Sequence, residues 1–149
     1  MYKRIAVAVD GSDTSTAALN EAVKLANVMG STLLLLHVCE EIPVVWNMEG
    51  MTTFPLEDVT QALIESGKQL LQRDKARVAE SGIDAETRLV EDYNVHVGAV
   101  ISKEAEQWLA DLLVVGTHGR KGLGHLLLGS VAEGVMRTAS MPVLLLRGG

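Results

Sequence analysis

Three short, nearly unbroken apolar runs constrain this chain more than any other feature: Ile5 to Val9, Thr32 to Cys39 and Leu112 to Val115. Each has the length of a strand, and a strand that is apolar on both faces must be covered on both, which is the situation of a parallel sheet between layers of helices. Helical periods lie between the runs. From Thr14 to Met29, Ala18, Ala22, Leu25, Ala26 and Met29 recur at helical spacing; Ser12 or Asp13 can cap the start, and Gly30 suits the stop. Glu57 to Ser81 carries Val59, Leu63, Leu70 and Leu71 among charges, ahead of Gly82. Val97, Val100, Ile101, Ala105, Trp108 and Leu109 give a third helix its apolar face, and Ser130 to Ala139 supplies a fourth.

Two further segments read as strands. Ile83 to Glu91 alternates, with Ala85, Thr87 and Leu89 set against Glu86 and Arg88, the pattern of an edge strand with one wet face. Pro142 opens a closing strand, Val143 to Leu146. Strands and helices thus alternate, and right-handed crossovers then distribute the helices over both faces. The expectation is an α/β fold of Rossmann-like type: an open five-stranded parallel sheet of order 3-2-1-4-5. The 149 residues suit one domain, spanning 1–149.

Charge and cysteine content narrow the function classes. The formal net charge is −6, so the average field repels phosphate backbones and anionic lipid, and general nucleic-acid or membrane binding is disfavoured. A single nucleotide is still admissible, because main-chain amides and helix N-termini supply positive potential that no charge count records. Cys39 is the only cysteine, no apolar run approaches transmembrane length, and Ile5 to Val9 is shorter than a signal-peptide core. These features read as a cytoplasmic protein.

Ligands of open parallel sheets bind beyond the carboxyl ends of the strands, where successive connections leave to opposite sides. With order 3-2-1-4-5 that point lies between the first and fourth strands, so Asp10-Gly11-Ser12-Asp13 faces Gly116-Thr117-His118-Gly119. Five glycines fall within Gly116 to Gly129, more than a connector needs, and the segment ends where a helix starts. Glycine lets main chain approach phosphate oxygens, the helix N-terminus favours an anion, and Ser130 can add a hydroxyl as donor or as a Mg²⁺ ligand.

The spacing Gly116-x2-Gly119-x9-Gly129-Ser130 resembles the ATP-binding signature of universal stress proteins, glycine-x2-glycine-x9-glycine-serine/threonine. The resemblance spans the chain: a first strand ending in aspartate, a long segment after the second strand, a last helix beginning Gly-Ser-Val-Ala-Glu, and a Pro-Val-Leu-Leu-Leu ending. It implies ATP as ligand, with Asp10 and the main chain near Val38 on the nucleoside. Gly116 and Gly119 would then take the ribose and proximal phosphates, and Gly129, Ser130 and Val131 the outer ones. It also implies a homodimer paired through Val143 to Leu146, and an apolar edge strand that needs covering agrees with this.

Competing readings stay open at this level. Asp10 can instead serve the start of the first helix, and Arg120 and Lys121 can be phosphate contacts or simply solvated. His118 and His125 lack a third metal ligand by spacing, and His37 and Cys39, two apart on one strand, read as a buried, inert pair. Trp46, Met48, Met51 and Phe54 can cover a ligand, meet a subunit or anchor their own segment. The leading function is an ATP-binding regulatory module of a stress response. The alternatives are a slow ATP-hydrolysing enzyme, an adenylating enzyme suggested by Asp10-Gly11-Ser12-Asp13-Thr14-Ser15, and a dimeric adaptor with an idle nucleotide site. No Walker motif occurs, and Gly122-Leu123-Gly124 lacks the third glycine of a dinucleotide fingerprint.

Overall fold

A computed structural model of the chain describes residues 1–39, 56–92, 96–118 and 128–148. The element order is β1 (Arg4–Ala8), α1 (Asp13–Met29), β2 (Thr32–Cys39), α2 (Leu56–Glu80), β3 (Ala85–Glu91), α3 (Val97–Gln107), β4 (Leu112–Gly116), α4 (Ser130–Thr138) and β5 (Val143–Leu146). All strand pairings are parallel, as the alternation of elements predicts, and the order is the expected β3-β2-β1-β4-β5.

The apolar runs divide by residue parity into two cores. Ile5, Val7, Leu33, Leu35, Leu112 and Val114 point to one face, where Ala18, Leu19, Ala22 and Ala26 of α1 and Leu71 and Val78 of α2 cover them. Ala6, Leu34, Leu36, Val38, Leu113 and Val115 point to the other, against Ile101 and Ala105 of α3, Trp108, and Ala132 and Val135 of α4. Each central strand is therefore buried on both sides, the physical reason that its sequence shows no alternation.

At the amino edge of the sheet, the Asp111 carboxylate accepts from the main-chain N–H groups of Lys3 and Arg4 at 2.8 and 3.1 Å. The Arg4 guanidinium donates twice to the Trp108 carbonyl, at 2.9 and 2.7 Å, and lies 3.9 Å from the centre of the Trp108 ring. These contacts fix the sheet from the end away from the glycine-rich segment.

Two local expectations are corrected. Leu109 does not extend the apolar face of α3; it is 75% exposed with φ 62°, and the helix ends at Gln107. Leu109 N donates to Glu106 O and Ala110 N to Ala105 O, the paired bonds of a Schellman stop with leucine where glycine is usual. The reversal is needed because β4 begins three residues later. On β3 the wet face is not the alternating one: Thr87 is exposed while Arg88 is half-buried, because Arg88 reaches Glu104 of α3 at 2.9 Å. The other stops fall as predicted, with Gly30 and Gly82 at φ 66° and 73°, and Ser12 rather than Asp13 caps α1.

Candidate functional site

Register places the predicted residues. Ala8 pairs with Leu36, so two steps further along each strand bring Asp10 level with Val38. Val7 pairs with Val114, so three steps bring Asp10 level with Thr117, one residue beyond Gly116. Asp10, Val38 and Gly116 thus stand at the carboxyl ends of three adjacent strands, where β1 and β4 part.

Beyond β1, polar contacts shape the turn into α1. Asp10 Oδ1 accepts from Ser12 N at 2.8 Å, and Asp10 N donates to Ser15 Oγ at 2.9 Å. Ser12 Oγ in turn accepts from Ser15 N at 3.2 Å, which caps the helix. One Asp10 oxygen therefore has a structural role of the kind the sequence left open, as an Asx-type turn ahead of the cap.

Gly129 and Ser130 come to the same place through the main chain. Gly129 N donates to Thr117 O at 2.8 Å, and Thr117 N donates to Leu146 O at 2.9 Å, so the start of α4 is tied to the end of β4. A Cβ on Gly129 would lie 2.9 Å from that Thr117 oxygen. Gly116 is equally confined: a Cβ there would stand 2.9 Å from Thr14 Cβ and 3.0 Å from its Oγ1. Both glycines are thus demanded by close approach of protein to protein, which draws α1, β4 and α4 together. Gly119, Arg120, Lys121, His125 and the aromatic and methionine residues 46–54 lie outside the described residues.

The two helix starts at this end differ. The N-terminus of α1 has its Ser12 cap and Asp13 in the first turn. That of α4 begins at Gly129, which has no side chain to cap it, and the first bond of the helix is Glu133 N to Gly129 O at 2.9 Å. The amides of Ser130, Val131 and Ala132 precede that bond, and Ser130 is exposed. An uncapped helix start beside a strand end can take an anion. Close by, His118 Nε2 is buried with no hydrogen-bond partner among the described residues, while Nδ1 lies 3.0 Å from Thr117 Oγ1. The residues present fit a phosphate-bearing ligand. Among the described residues, no three His, Cys, Asp or Glu side chains gather as a metal site.

Two residues matter here in roles that composition and spacing did not show. Thr14, 8% exposed, donates from Oγ1 to the His118 carbonyl, and its Cγ2 stands 2.5 Å from where a Gly148 Cβ would be. It joins α1, the end of β4 and the final residues, but as a single threonine in a helix start it carried no signal. His37, read as inert, has its Nδ1 2.7 Å from the carbonyl of Val9, immediately before Asp10. Its neighbour Cys39 is buried, with Sγ 3.8 Å from Leu63 O.

Known proteins match this arrangement. Residues 1–147 match the model of the universal stress protein family. Universal stress protein YxiE of Bacillus subtilis is 33% identical over 99% of this chain and 100% of its own. The structure of MJ0577 of Methanocaldococcus jannaschii aligns with TM-score 0.82 and 27% identity, covering 99% of this chain and 96% of that one. A universal stress protein in complex with cAMP aligns at 0.65 with 28% identity over 99% and 98% of the two chains. That from Archaeoglobus fulgidus in complex with dAMP aligns at 0.65 with 25% identity over 97% and 98%. From end to end, in sequence and in the order of its strands, the chain belongs to the universal stress protein family.

Proposed function

We propose that the protein binds ATP at the carboxyl end of its sheet and acts as a nucleotide-dependent regulatory module of a stress response. The observation that carries this is the uncapped start of α4, held by the Gly129–Thr117 bond against the end of β4, the strand that pairs with β1. Adenine nucleotides held by two structural relatives support the ligand class. In this reading Asp10 and the main chain of Val38 take the nucleoside, Gly116 and Gly119 the ribose and proximal phosphates, and Gly129, Ser130 and Val131 the outer phosphates. Ser130, an exposed residue at the start of α4, would supply a hydroxyl ligand to a phosphate-bound Mg²⁺, which would offset the charge of the phosphates. A homodimer formed along β5 is part of the same proposal: Val143–Leu146 is an edge strand of four apolar residues, each half-buried in one chain.

Ser130→Asp separates binding from folding. A carboxylate at the first residue of α4 favours the helix by about 0.3–1 kcal/mol while occupying the anion position with like charge. Calorimetric titration should show ATP binding to the wild type and at least tenfold weaker binding to the variant, whose melting temperature is unchanged or raised. No heat of binding to folded wild type at millimolar ATP would defeat the proposal, as would equal affinity in the variant.

A further inference from the structure

Strand parity decides which way each amide of β2 points. Thr32 N donates to Lys3 O and Val9 N donates to Leu36 O, so the main chain of the even-numbered residues faces β1, whereas Leu33 N donates to Asp84 O on the β3 side. Val38 is the next even residue. A continued ladder would send Val38 N to Val9 O, yet the β1–β2 pairing ends at Ala8 and Leu36. The Val9 carbonyl meets His37 Nδ1 instead, at 2.7 Å. A carbonyl has no proton to give, so the nitrogen facing it carries the N–H.

The ring is held in that place by α2. A Cβ on Gly67 would lie 2.8 Å from His37 Cδ2, 3.3 Å from its Nε2 and 2.7 Å from Leu89 Cδ1, so helix main chain packs directly on the imidazole. On the far side of Val9 the chain has already turned, with Asp10 N bonded to Ser15 Oγ.

We infer that His37 is a positioning residue for the nucleoside end of the site. By taking the Val9 carbonyl it stops the β1–β2 ladder one bond early and leaves the Val38 main-chain N–H and C=O side by side at the strand end, without a β1 partner among the described residues. A donor beside an acceptor matches a purine edge that presents a ring-nitrogen acceptor beside an exocyclic amine. The ligand in this inference rests on the nucleotide reading above; the interruption of the ladder does not. If the imidazole N–H is removed, the Val9 carbonyl stands in register for Val38 N, and the ladder closes by one more bond at the expense of the ligand.

The test is amide hydrogen exchange at Val38 in nucleotide-free protein, read beside ATP titration, for wild type, His37→Phe and His37→Asn. Asparagine can place its amide N–H near the position of Nδ1, whereas phenylalanine keeps a ring without the donor. Val38 should exchange at least tenfold faster than ladder-bonded Leu36 in wild type. In His37→Phe it should slow by tenfold or more while ATP binds about threefold to tenfold more weakly, the worth of one main-chain hydrogen bond. His37→Asn should restore both. The inference is overturned if wild-type Val38 exchanges as slowly as Leu36, a comparison that needs no variant to fold. It is also overturned if folded His37→Phe leaves Val38 exchange and ATP affinity unchanged, or if His37→Asn behaves like His37→Phe. Wild type that fails to bind ATP while Val38 exchanges freely would instead defeat the nucleotide reading.

Discussion

Replacing Gly98 with alanine tests whether α4 is positioned by direct contact with α3. The two helices cross with main chain against main chain: a Cβ on Gly98 would sit 2.6 Å from Val131 O, 2.7 Å from Gly134 Cα and 2.7 Å from Val135 N. Ordinary contact begins near 3.4 Å, so the helices must part by about 0.8 Å, because backbone atoms cannot rotate aside. Alanine contributes about 1 kcal/mol of helix propensity over glycine, while overpacking of this kind costs about 3 kcal/mol. The net loss is about 2 kcal/mol, or a fall in melting temperature of about 4–8 °C for a chain of this size. Because Val131 lies in the first turn of α4, the same displacement should also weaken ATP binding. Gly134→Ala is the internal comparison: its Cβ would have one close neighbour, Gly98 Cα at 3.1 Å, so propensity and crowding nearly cancel. Thermal unfolding followed by circular dichroism, with calorimetric titration on the same samples, measures both effects. A Gly98→Ala protein as stable as wild type, or less affected than Gly134→Ala, would refute the reasoning.

Two further outcomes follow from positions away from that crossing. Leu109 holds φ 62° while 75% exposed, so Leu109→Gly should raise stability by about 1 kcal/mol and the melting temperature by about 2–4 °C; a lower melting temperature would show that the leucine makes a contact of greater worth than its strain. Burial, and secondarily the negative charge of Glu91, push the Cys39 thiol above its ordinary pKa. The thiolate is the reactive form, so at pH 8 a thiol reagent should modify folded protein at least tenfold more slowly than denatured protein, with the rate still climbing at higher pH. Equal rates in the two states would contradict that environment.

Much of the fold is legible in the sequence because its evidence is local. The runs at Ile5, Thr32 and Leu112 need cover on two sides, the glycines at 30 and 82 sit at helix stops, and the polar-studded segment Ile83 to Glu91 belongs at a sheet edge. What escapes is whatever depends on a partner from elsewhere in the chain. Arg88 reads as solvated until Glu104 of α3 is placed above it, and Leu109 reads as helix until the route into β4 requires a reversal. The site shows the same division. Asp10 and Gly116 can be named from strand ends, Gly129 and Ser130 from a glycine-rich approach to a helix, and Val38 from the family resemblance alone. The roles of Thr14 and His37 cannot be read there, since each acts through a bond to a carbonyl far away in sequence. The structure also gives Gly116 and Gly129 a purpose that phosphate chemistry does not suggest, which is to let α1, β4 and α4 touch.

The sheet has two unlike margins. Along β3, Glu86, Thr87 and Glu91 are exposed, a hydrophilic border that resists lateral addition of another chain; along β5 the residues are apolar and only half covered. Among the described residues, lateral addition of a strand is therefore favoured at the β5 border and not at β3. In the dimer proposed above, each copy covers the one apolar strand border found among the described residues, so association through strand edges would end at a closed pair rather than propagate into a filament.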